Sequence, residues 1–490
     1  MSSFSPRREF STRRPLASFP RVSVAPAEHL LDPELAGRIV ARALRHGGDF
    51  AELFCEDRAG LSLSVDESRI ERPQRGAERG AGVRVVSGET TYFAHVDGLG
   101  EVDLERAADS AAAALSGQRI EPRALSAAEP ILGQEIETSP VDVPAERKAA
   151  LLRACDERAR SQGDAVAQVQ ASYSEGRRRV TVANSDGLLA SDDRTRVRLG
   201  VQAVARKNGT VETGFETLGG HRGYELVEDG AGEEIAARAA RAALTLLDAG
   251  PAPAGALPVV VGGGFGGVLF HEMTGHGLEA DHVQKGASVY AGKIGEQVAE
   301  PFLQAYDDGR LAGEWGTDGI DDEGTPTRTT ALIHEGKVVS YLHDLRSARK
   351  DSQDSTGNGR RESFRHLPIP RMTNTFIAPG EATPEELIGD LERGFYAVSF
   401  AGGQVDPTTG DFVFGVSEGY LIEAGKVTKP CRGATLIGNC LDALAKIDAV
   451  AEDFEMKTGF CGKGGQRVPV GTGQGHVRIR ELTVGGTAVG

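Results

Sequence analysis

Cysteine, methionine and tryptophan are scarce in this chain of 490 residues, which contains 5 Cys, 4 Met and 1 Trp. The cysteines are odd in number and widely separated, at positions 55, 155, 431, 440 and 461. This pattern excludes the dense disulfide framework of small secreted domains and favours a reducing compartment. We therefore expect a cytoplasmic protein.

Long apolar runs and an excess of positive charge are also missing. No segment approaches the roughly 18 consecutive apolar residues of a membrane-spanning helix, so we expect no such helix. The chain has 55 Lys and Arg against 71 Asp and Glu, a formal net charge of −16. This balance argues against nucleic acid or an anionic membrane as a partner, although it does not select a substrate.

The length allows two sizeable domains. Residues 1–28 are rich in Arg and Ser and are predicted to form a disordered arm. Residues 29–250 mix helical and strand patterns, which predicts an N-terminal α+β domain. A Pro-Ala-Pro-Ala-Gly segment at 251–255 is the predicted boundary, because it ends the preceding helix and stiffens a short linker. Residues 256–490 are predicted to form a β-rich, barrel-like domain that carries a metal-binding helix.

Periodicity predicts the individual elements. Helices are expected at 32–46, with Asp32 as the N-cap and Pro33 in the first turn, and at 104–115, 145–161 and 233–247. Short strands are expected at 51–56, 62–65, 167–174 and 179–184. In the second half, hairpins are expected where strands flank Glu335-Gly336 and where strands at 411–417 and 420–423 precede Ala424-Gly425.

The segment that carries chemistry is His271-Glu-Met-Thr-Gly-His276, which follows an apolar strand and a glycine-rich stretch. It resembles the zinc-protease signature with one residue too many, because that signature places its histidines four residues apart around a general base. Residues five apart lie about 140° around a regular α-helix, so a helical bulge or local unwinding is required. Gly275 and Gly277 are expected to make this distortion inexpensive.

Two other interpretations compete with a metal site. Histidines 271 and 276 could be ordinary helix residues with hydrogen-bond partners. Gly262, Gly264 and Gly267 also match the G-x-G-x-x-G pattern of a dinucleotide-binding turn, although this match is weak in a chain with 64 glycines.

A catalytic zinc normally takes three protein ligands. The candidates for the third are the nearby Glu279, Asp281 and His282 and the distant Cys431, Cys440 and Cys461. Cys461 has a modest advantage, because the glycines around it would let the backbone approach a metal.

Longer blocks of sequence resemble the TldD branch of the TldD/TldE (PmbA) family of zinc metallopeptidases. The blocks begin at His271 (HEMTGHGLE), Ser355 (STGNGRRES), Pro370 (PRMTNT), Gly402 (GGQVD), Gly433 (GATLIG) and Cys461 (CGKGGQRVPVG). The resemblance implies one zinc ion per chain held by His271, His276 and Cys461, with Glu272 as the general base. It also implies a heterodimer with a TldE-like paralogue, a homodimer being the other possibility, and short or unfolded peptides as substrates.

We therefore predict a zinc-dependent peptidase in which Glu272 activates water, the alternative being a non-catalytic, zinc-stabilised partner subunit. His282, Tyr290, Arg360 and Arg361 are candidates for binding the substrate. The acidic residues 318–323 lack the ligand spacing of a calcium loop, so we expect a solvated turn there.

Overall fold

The computed structural model describes residues 27–118, 120–128, 134 and 136–486. The predicted arm, 1–28, lies almost entirely outside these residues. The helices are α1 (Pro33–Ala43), α2 (Glu101–Ala112), α3 (Ala145–Arg160), α4 (Ala231–Leu247), α5 (Gly267–Phe270), α6 (Ala280–Gln284), α7 (Leu345–Lys350), α8 (Pro384–Gly389) and α9 (Cys440–Ala445). Within the described part of the chain, no helix has the length and apolar character needed to cross a membrane.

The strands of the first half are β1 (Phe50–Asp66), β2 (Arg69–Ile70), β3 (Gln74–Ser87), β4 (Thr90–Asp97), β5 (Ser126–Ala127), β6 (Val166–Asn184), β7 (Leu188–Lys207) and β8 (Thr210–Gly220). Those of the second half are β9 (Gly250–Pro251), β10 (Gly255–Val261), β11 (Ala305–Asp308), β12 (Thr329–His334), β13 (Lys337–Val338), β14 (Gly359–Arg360), β15 (Ile369–Pro370), β16 (Asn374–Ile377), β17 (Arg393–Val405), β18 (Asp411–Glu423), β19 (Lys426–Arg432), β20 (Ala434–Asn439), β21 (Ile447–Val450), β22 (Glu455–Lys463), β23 (Gln466–Gln474) and β24 (Val477–Gly485). The predicted α+β class is confirmed.

The first half forms one twisted sheet with the order β4-β3-β1-β6-β7-β5, to which β2 and β8 add as partners of β1 and β7. Helices α1 and α2 share an apolar core with β1 and β3, and α3 and α4 share another with β6 and β7. The four long helices were predicted within a few residues of these bounds. Asp32 caps α1 as expected, accepting hydrogen bonds from the backbone N–H groups of Glu34 and Leu35.

Two predicted strand breaks in this sheet are wrong. β1 runs without interruption through residues 57–61, and β6 runs through 175–178. Charged residues in these stretches break the apolar alternation, but they pair across the sheet: Arg179 lies opposite Asp57 and donates to it at 2.7 Å, and Arg178 bonds Glu56. Paired charges let the strand continue where an unpaired run would indicate a turn.

The second half contains a closed barrel. Five strands follow the order β17-β10-β24-β20-β18, and pairing of β17 with β18 closes the ring. Only the β10–β17 pair is parallel. The expected turn at Ala424-Gly425 is present, with positive φ at both residues, but strand β18 that precedes it is continuous from 411 to 423. The hairpin at Glu335-Gly336 is confirmed as well.

A six-stranded sheet, β13-β12-β11-β16-β23-β22, lies beside the barrel. The chain passes from barrel strand β10 into α5, whose first residue, Gly267, packs against the backbone of Gly473 on β23. This contact places the start of the motif beside the β22–β23 hairpin. The division at 251–255 stays a prediction.

Buried ion pairs join the two halves. The acidic residues 318–323 do not form the solvated turn that we expected, because Asp318, Asp321, Asp322 and Glu323 are at most 3 % exposed. Arg194 on β7 contacts Asp322 at 2.7 Å, and Arg84 on β3 contacts Glu323 at 2.7 Å. Arginines of the first sheet therefore pair with Asp318, Asp322 and Glu323. Asp321 instead accepts hydrogen bonds from backbone N–H groups, those of Glu323, Thr325 and Gly359.

Candidate metal centre

The motif begins directly after α5 and is not a regular α-helix. Residues His271–Gly275 form one π-helical turn, and His276–Leu278 form a 3₁₀ turn. The backbone N–H of His276 donates to the carbonyl of His271 five residues earlier. This i→i+5 bond brings residues five apart close to the same face, so the predicted helical bulge is confirmed.

The flanking glycines have a different role from the one expected. Gly275 has an ordinary helical φ of −56°, so it does not supply backbone freedom. A Cβ added to Gly275 would lie 1.9 Å from Sδ of Met372, and one added to Gly277 would lie 2.5 Å from the Tyr290 ring. These glycines are required because neighbouring side chains pack against the backbone of the motif.

His271, His276 and Cys461 converge on one point, although Cys461 comes from strand β22 about 190 residues later in the chain. One ligand atom from each lies within 4.8 Å of the other two, and all three residues are buried. Sγ of Cys461 is 3.1 Å from Nε2 of His276. The two imidazole rings are 5.2 Å apart and nearly perpendicular, at 83°.

This donor set suits zinc. Ligand atoms of a tetrahedral site with two Zn–N bonds of about 2.0 Å and a Zn–S bond of about 2.3 Å lie roughly 3.5 Å apart. Burial raises the pKa of the Cys461 thiol, but the two histidines outweigh it and lower that pKa from 9.0 to about 5. Cys461 is therefore poised as a thiolate, the form that binds metal.

Glu272 lies at the open side of the cluster. Its carboxylate Oε2 is 3.8 Å from Nε2 of His276, and 27 % of its side chain is exposed, against 10 % for His276. The carboxylate thus faces both the ligands and solvent. A group in this position can exchange a proton with a water molecule held between them.

Charged side chains lie behind His276, on the Nδ1 side of its ring. Its Nδ1 lies 2.9 Å from Oε2 of Glu279, and Nζ of Lys463 lies 3.1 Å from the same oxygen and 2.6 Å from Oδ1 of Asp281. Sequence reasoning did not find Lys463. The signal was available, because Lys463 follows Cys461 by two residues and therefore shares a face of the same strand.

The other candidate third ligands do not belong to the three-residue cluster, although Glu279 contacts His276 on the opposite side of its ring. Glu279, Asp281 and His282 form a group of their own, with Lys463 already between the two carboxylates. Burial raises the pKa of the Cys440 thiol to about 12, and burial also raises the pKa of Cys431. Neither thiol belongs to a group of converging ligand atoms among the residues that the structure describes.

Three of the four residues predicted to bind the substrate are buried and already bonded to other groups of the protein. The Tyr290 hydroxyl lies 3.3 Å from the carbonyl of Met273, and Arg360 donates to the carbonyls of Met372 and Pro469. Arg361 is paired with Glu52 of the first sheet. We therefore leave these three out of the proposed substrate site. His282 lies on α6 beside the cluster and is half-buried, so it is kept as a candidate.

Three family models match the chain. Residues 254–486 match the PmbA/TldA metallopeptidase C-terminal domain, residues 138–247 the central domain, and residues 51–115 domain 1. The first-half sheet is therefore divided between two family domains.

Curated relatives match over nearly the whole chain. The Metalloprotease TldD homolog of Haemophilus influenzae is 42 % identical over 449 residues, which is 90 % of this chain and 93 % of the relative. A protein of Methanothermobacter thermautotrophicus named Metalloprotease is 33 % identical, over 89 % of this chain and 96 % of its own.

Solved structures share the fold. A putative modulator of DNA gyrase from Thermotoga maritima superposes with a TM-score of 0.77 at 23 % identity, covering 92 % of this chain and 99 % of that one. TldE from Thermococcus kodakarensis superposes with a TM-score of 0.74 at 19 % identity, covering 92 % and 98 %. At these identities the likeness concerns the fold alone.

Proposed function

Because the chain belongs to the TldD branch of the PmbA/TldD metallopeptidase family, we propose that it is a zinc-dependent peptidase that hydrolyses short or unfolded peptides. One observation carries the proposal: two imidazoles and a thiolate converge within 4.8 Å. Glu272, which follows the first ligand directly in sequence, is the partly exposed carboxylate beside them.

A zinc ion held by His271, His276 and Cys461 would supply a Lewis acid that polarises the scissile carbonyl and makes water more acidic. Glu272 accepts the proton of the attacking water and delivers it to the leaving amine, as a positioned carboxylate does. His282, on α6, is kept as the proposed contact to the peptide.

The burial of the ligands limits which substrates can reach the proposed metal site. The three ligands are at most 8 % exposed, so a bond in a folded surface would not reach them. A flexible, extended peptide can place one carbonyl at such a recessed site. This argument favours unstructured chains and leaves the sequence preference open.

Replacing Glu272 with Gln tests the mechanism, because Gln keeps the size of the side chain but cannot accept the proton. We expect unchanged zinc content and unfolding temperature, and a loss of turnover of about 10²-fold or more. The measurement is cleavage of a quenched fluorescent peptide without secondary structure, by the chain alone and mixed with its paralogue.

Glu296→Gln is the matched control, since Glu296 is exposed and, among the described residues, its carboxylate pairs with Lys293 alone. It should retain full activity. If Glu272→Gln retained full turnover, the mechanism would be wrong. If the wild type bound zinc but neither it nor its complex cleaved any peptide, the protein would be the non-catalytic subunit that the sequence left as the alternative.

We also propose that the working form is a heterodimer with a TldE-like paralogue of the same genome. Support comes from the shared fold of this chain and TldE from Thermococcus kodakarensis. Co-expression of the two chains should give one species whose native mass equals the sum of both. A native mass of twice this chain, unaffected by the paralogue, would establish a homodimer instead.

A further inference from the structure

The imidazole of His276 has a partner on each of its two nitrogens. Nε2 faces Sγ of Cys461 at 3.1 Å, while Nδ1 faces Glu279, which is bound by Lys463. Cys461 and Lys463 are two residues apart at the end of β22 and point to the same side. Strand β22 therefore supplies the ligand Cys461 and also Lys463, the cation that holds Glu279 behind the ligand His276.

Glu279 is rigidly placed. It lies in extended backbone between the 3₁₀ turn of the motif and α6. On either side of it, the N–H of Leu342 donates to Leu278 and the N–H of Ala280 donates to Leu342, at 2.8 and 2.9 Å. The residue is fully buried. Its side chain is thus turned back toward His276 by a backbone that cannot easily shift.

Lys463 gives this buried carboxylate its counter-charge. The Lys463 ammonium also donates to Asp281 and to the carbonyl of Pro370, at 2.6 and 3.0 Å, and its side chain is 9 % exposed. A buried carboxylate without such a partner would be costly to keep ionised. Lys463 therefore keeps Glu279 both charged and aimed.

We propose that Glu279, held by Lys463, is a positioning residue that fixes His276 in the tautomer protonated on Nδ1. The N–H then donates to the carboxylate, and the lone pair of Nε2 is directed at the metal. Such a bond sets the ring orientation and increases the basicity of the ligating nitrogen. The inference rests on the proposed zinc site and adds a role that the three ligands and Glu272 do not supply.

Glu279 is a positioning residue and not a fourth ligand. Its carboxylate lies on the Nδ1 side of the ring, away from Cys461, and the three ligand atoms that lie within 4.8 Å of one another include no oxygen of Glu279. The oxygen of Glu279 that faces Nδ1 of His276 is also the one that Lys463 contacts, so it is already occupied by these two neighbours.

The test measures zinc affinity by chelator competition in the full-length chain, with Co²⁺ absorption as a second readout. Glu279→Ala should weaken zinc binding about 10–100-fold. Glu279→Gln should fall between the wild type and Ala, because its amide oxygen can accept the bond without charge. The cobalt–thiolate band should persist in both variants, since Cys461 stays bound, and should disappear in Cys461→Ser.

Lys463→Met gives an arm that does not depend on the folding of Glu279→Ala: it should weaken zinc binding relative to the wild type, while the cobalt–thiolate band persists. Where Glu279→Ala folds, Lys463→Met should weaken binding less than that variant and should add nothing in its background. Asp281→Asn is the matched control, because it removes a partner of Lys463 but leaves the Glu279–His276 bond intact. Its affinity should stay within about threefold of the wild type.

Wild-type affinity in Glu279→Ala and Glu279→Gln would overturn the inference. So would loss of the tetrahedral cobalt spectrum in Glu279→Ala, which would make Glu279 a ligand, or an equal loss of affinity in Asp281→Asn. Failure of the wild type to bind zinc would instead refute the proposed function. The two failures are therefore distinguishable.

Discussion

At the residue scale, Met372 packs closely against the backbone of Gly275 in the motif. The sulfur of Met372 occupies the space that any side chain at position 275 would need, and both residues are buried. Gly275 also lies directly before His276, so displacing it would displace a ligand. Packing and metal binding are coupled at this position.

Gly275→Ala should therefore destabilise the fold by about 1–3 kcal/mol, the usual cost of overpacking, and should weaken zinc binding as well. Urea unfolding monitored by circular dichroism gives the first quantity, and chelator competition gives the second. The backbone is helical at this position, so no φ strain contributes to the loss.

Gly389→Ala is the control. Gly389 ends α8, is exposed, and has no atom within 4 Å of an added Cβ. Ala at this position should be neutral or slightly stabilising. A Gly275→Ala variant with wild-type stability and zinc affinity would show that Met372 moves away freely, and the glycine would then have no packing role.

The sequence could predict which types of residue form this site but not which side chains meet in space. The spacing of His271 and His276 predicted a distorted helix, because a regular one could not bring both to one ion. Which cysteine joined them depended on a strand remote in sequence. Spacing alone therefore left Cys461 with a small advantage, and the family resemblance was needed to select it.

At the scale of elements, strand β22 and the motif turn form one unit. A strand repeats every two residues, so Cys461 and Lys463 project from one face, and the π turn presents His271 and His276 to them. Arg371 strengthens this unit by donating to the carbonyl of Cys461. Neither element forms the metal site alone. The local sequence pattern of one element was therefore not enough to predict all three ligands.

The ends of helices and strands were predicted well where the apolar residues kept one periodicity. They were predicted poorly where charged residues interrupted that periodicity. The helices have uninterrupted apolar faces, and their predicted bounds were close. Strands β1 and β6 were split at their charged centres, because an arginine that pairs across the sheet looks in sequence like one that faces solvent. Pairing is a property of the register, which the sequence does not display.

At the scale of the whole molecule, the buried ion pairs fix the first-half sheet to the loop at 318–323. Asp322 is central to them: it accepts from Arg194 at 2.7 Å, lies 3.4 Å from Arg178, and accepts from the backbone N–H of Arg361 at 2.8 Å. We expected a solvated acidic turn at 318–323, because the arginines that pair with it come from a strand more than 120 residues earlier and are not visible in the local pattern.

The pKa of Asp322 ties this network to pH. Burial raises it, but Arg178 and Arg194 outweigh burial and lower it from 3.8 to about 2. A carboxyl group with a lowered pKa in the folded state stabilises the protein fully above its unfolded value, about 3.9, and loses that contribution as pH falls toward 2. The ionised carboxylate therefore contributes on the order of 2 kcal/mol at neutral pH.

Asp322→Asn should lower the free energy of unfolding at pH 7 by about 3–5 kcal/mol, because Arg194 is left buried with one fewer partner. Between pH 4 and pH 3 the variant should lose stability less steeply than the wild type, since one carboxylate no longer takes up a proton. Urea midpoints measured from pH 7 to pH 3 give both quantities.

The matched control is Asp390→Asn, because the carboxylate of Asp390 is 73 % exposed beside Arg478. This substitution should change neither the urea midpoint nor its dependence on pH noticeably. A pH dependence of Asp322→Asn equal to that of the wild type would mean that Asp322 does not titrate with folding, and the two halves would then be held together by their apolar contacts and not by this network.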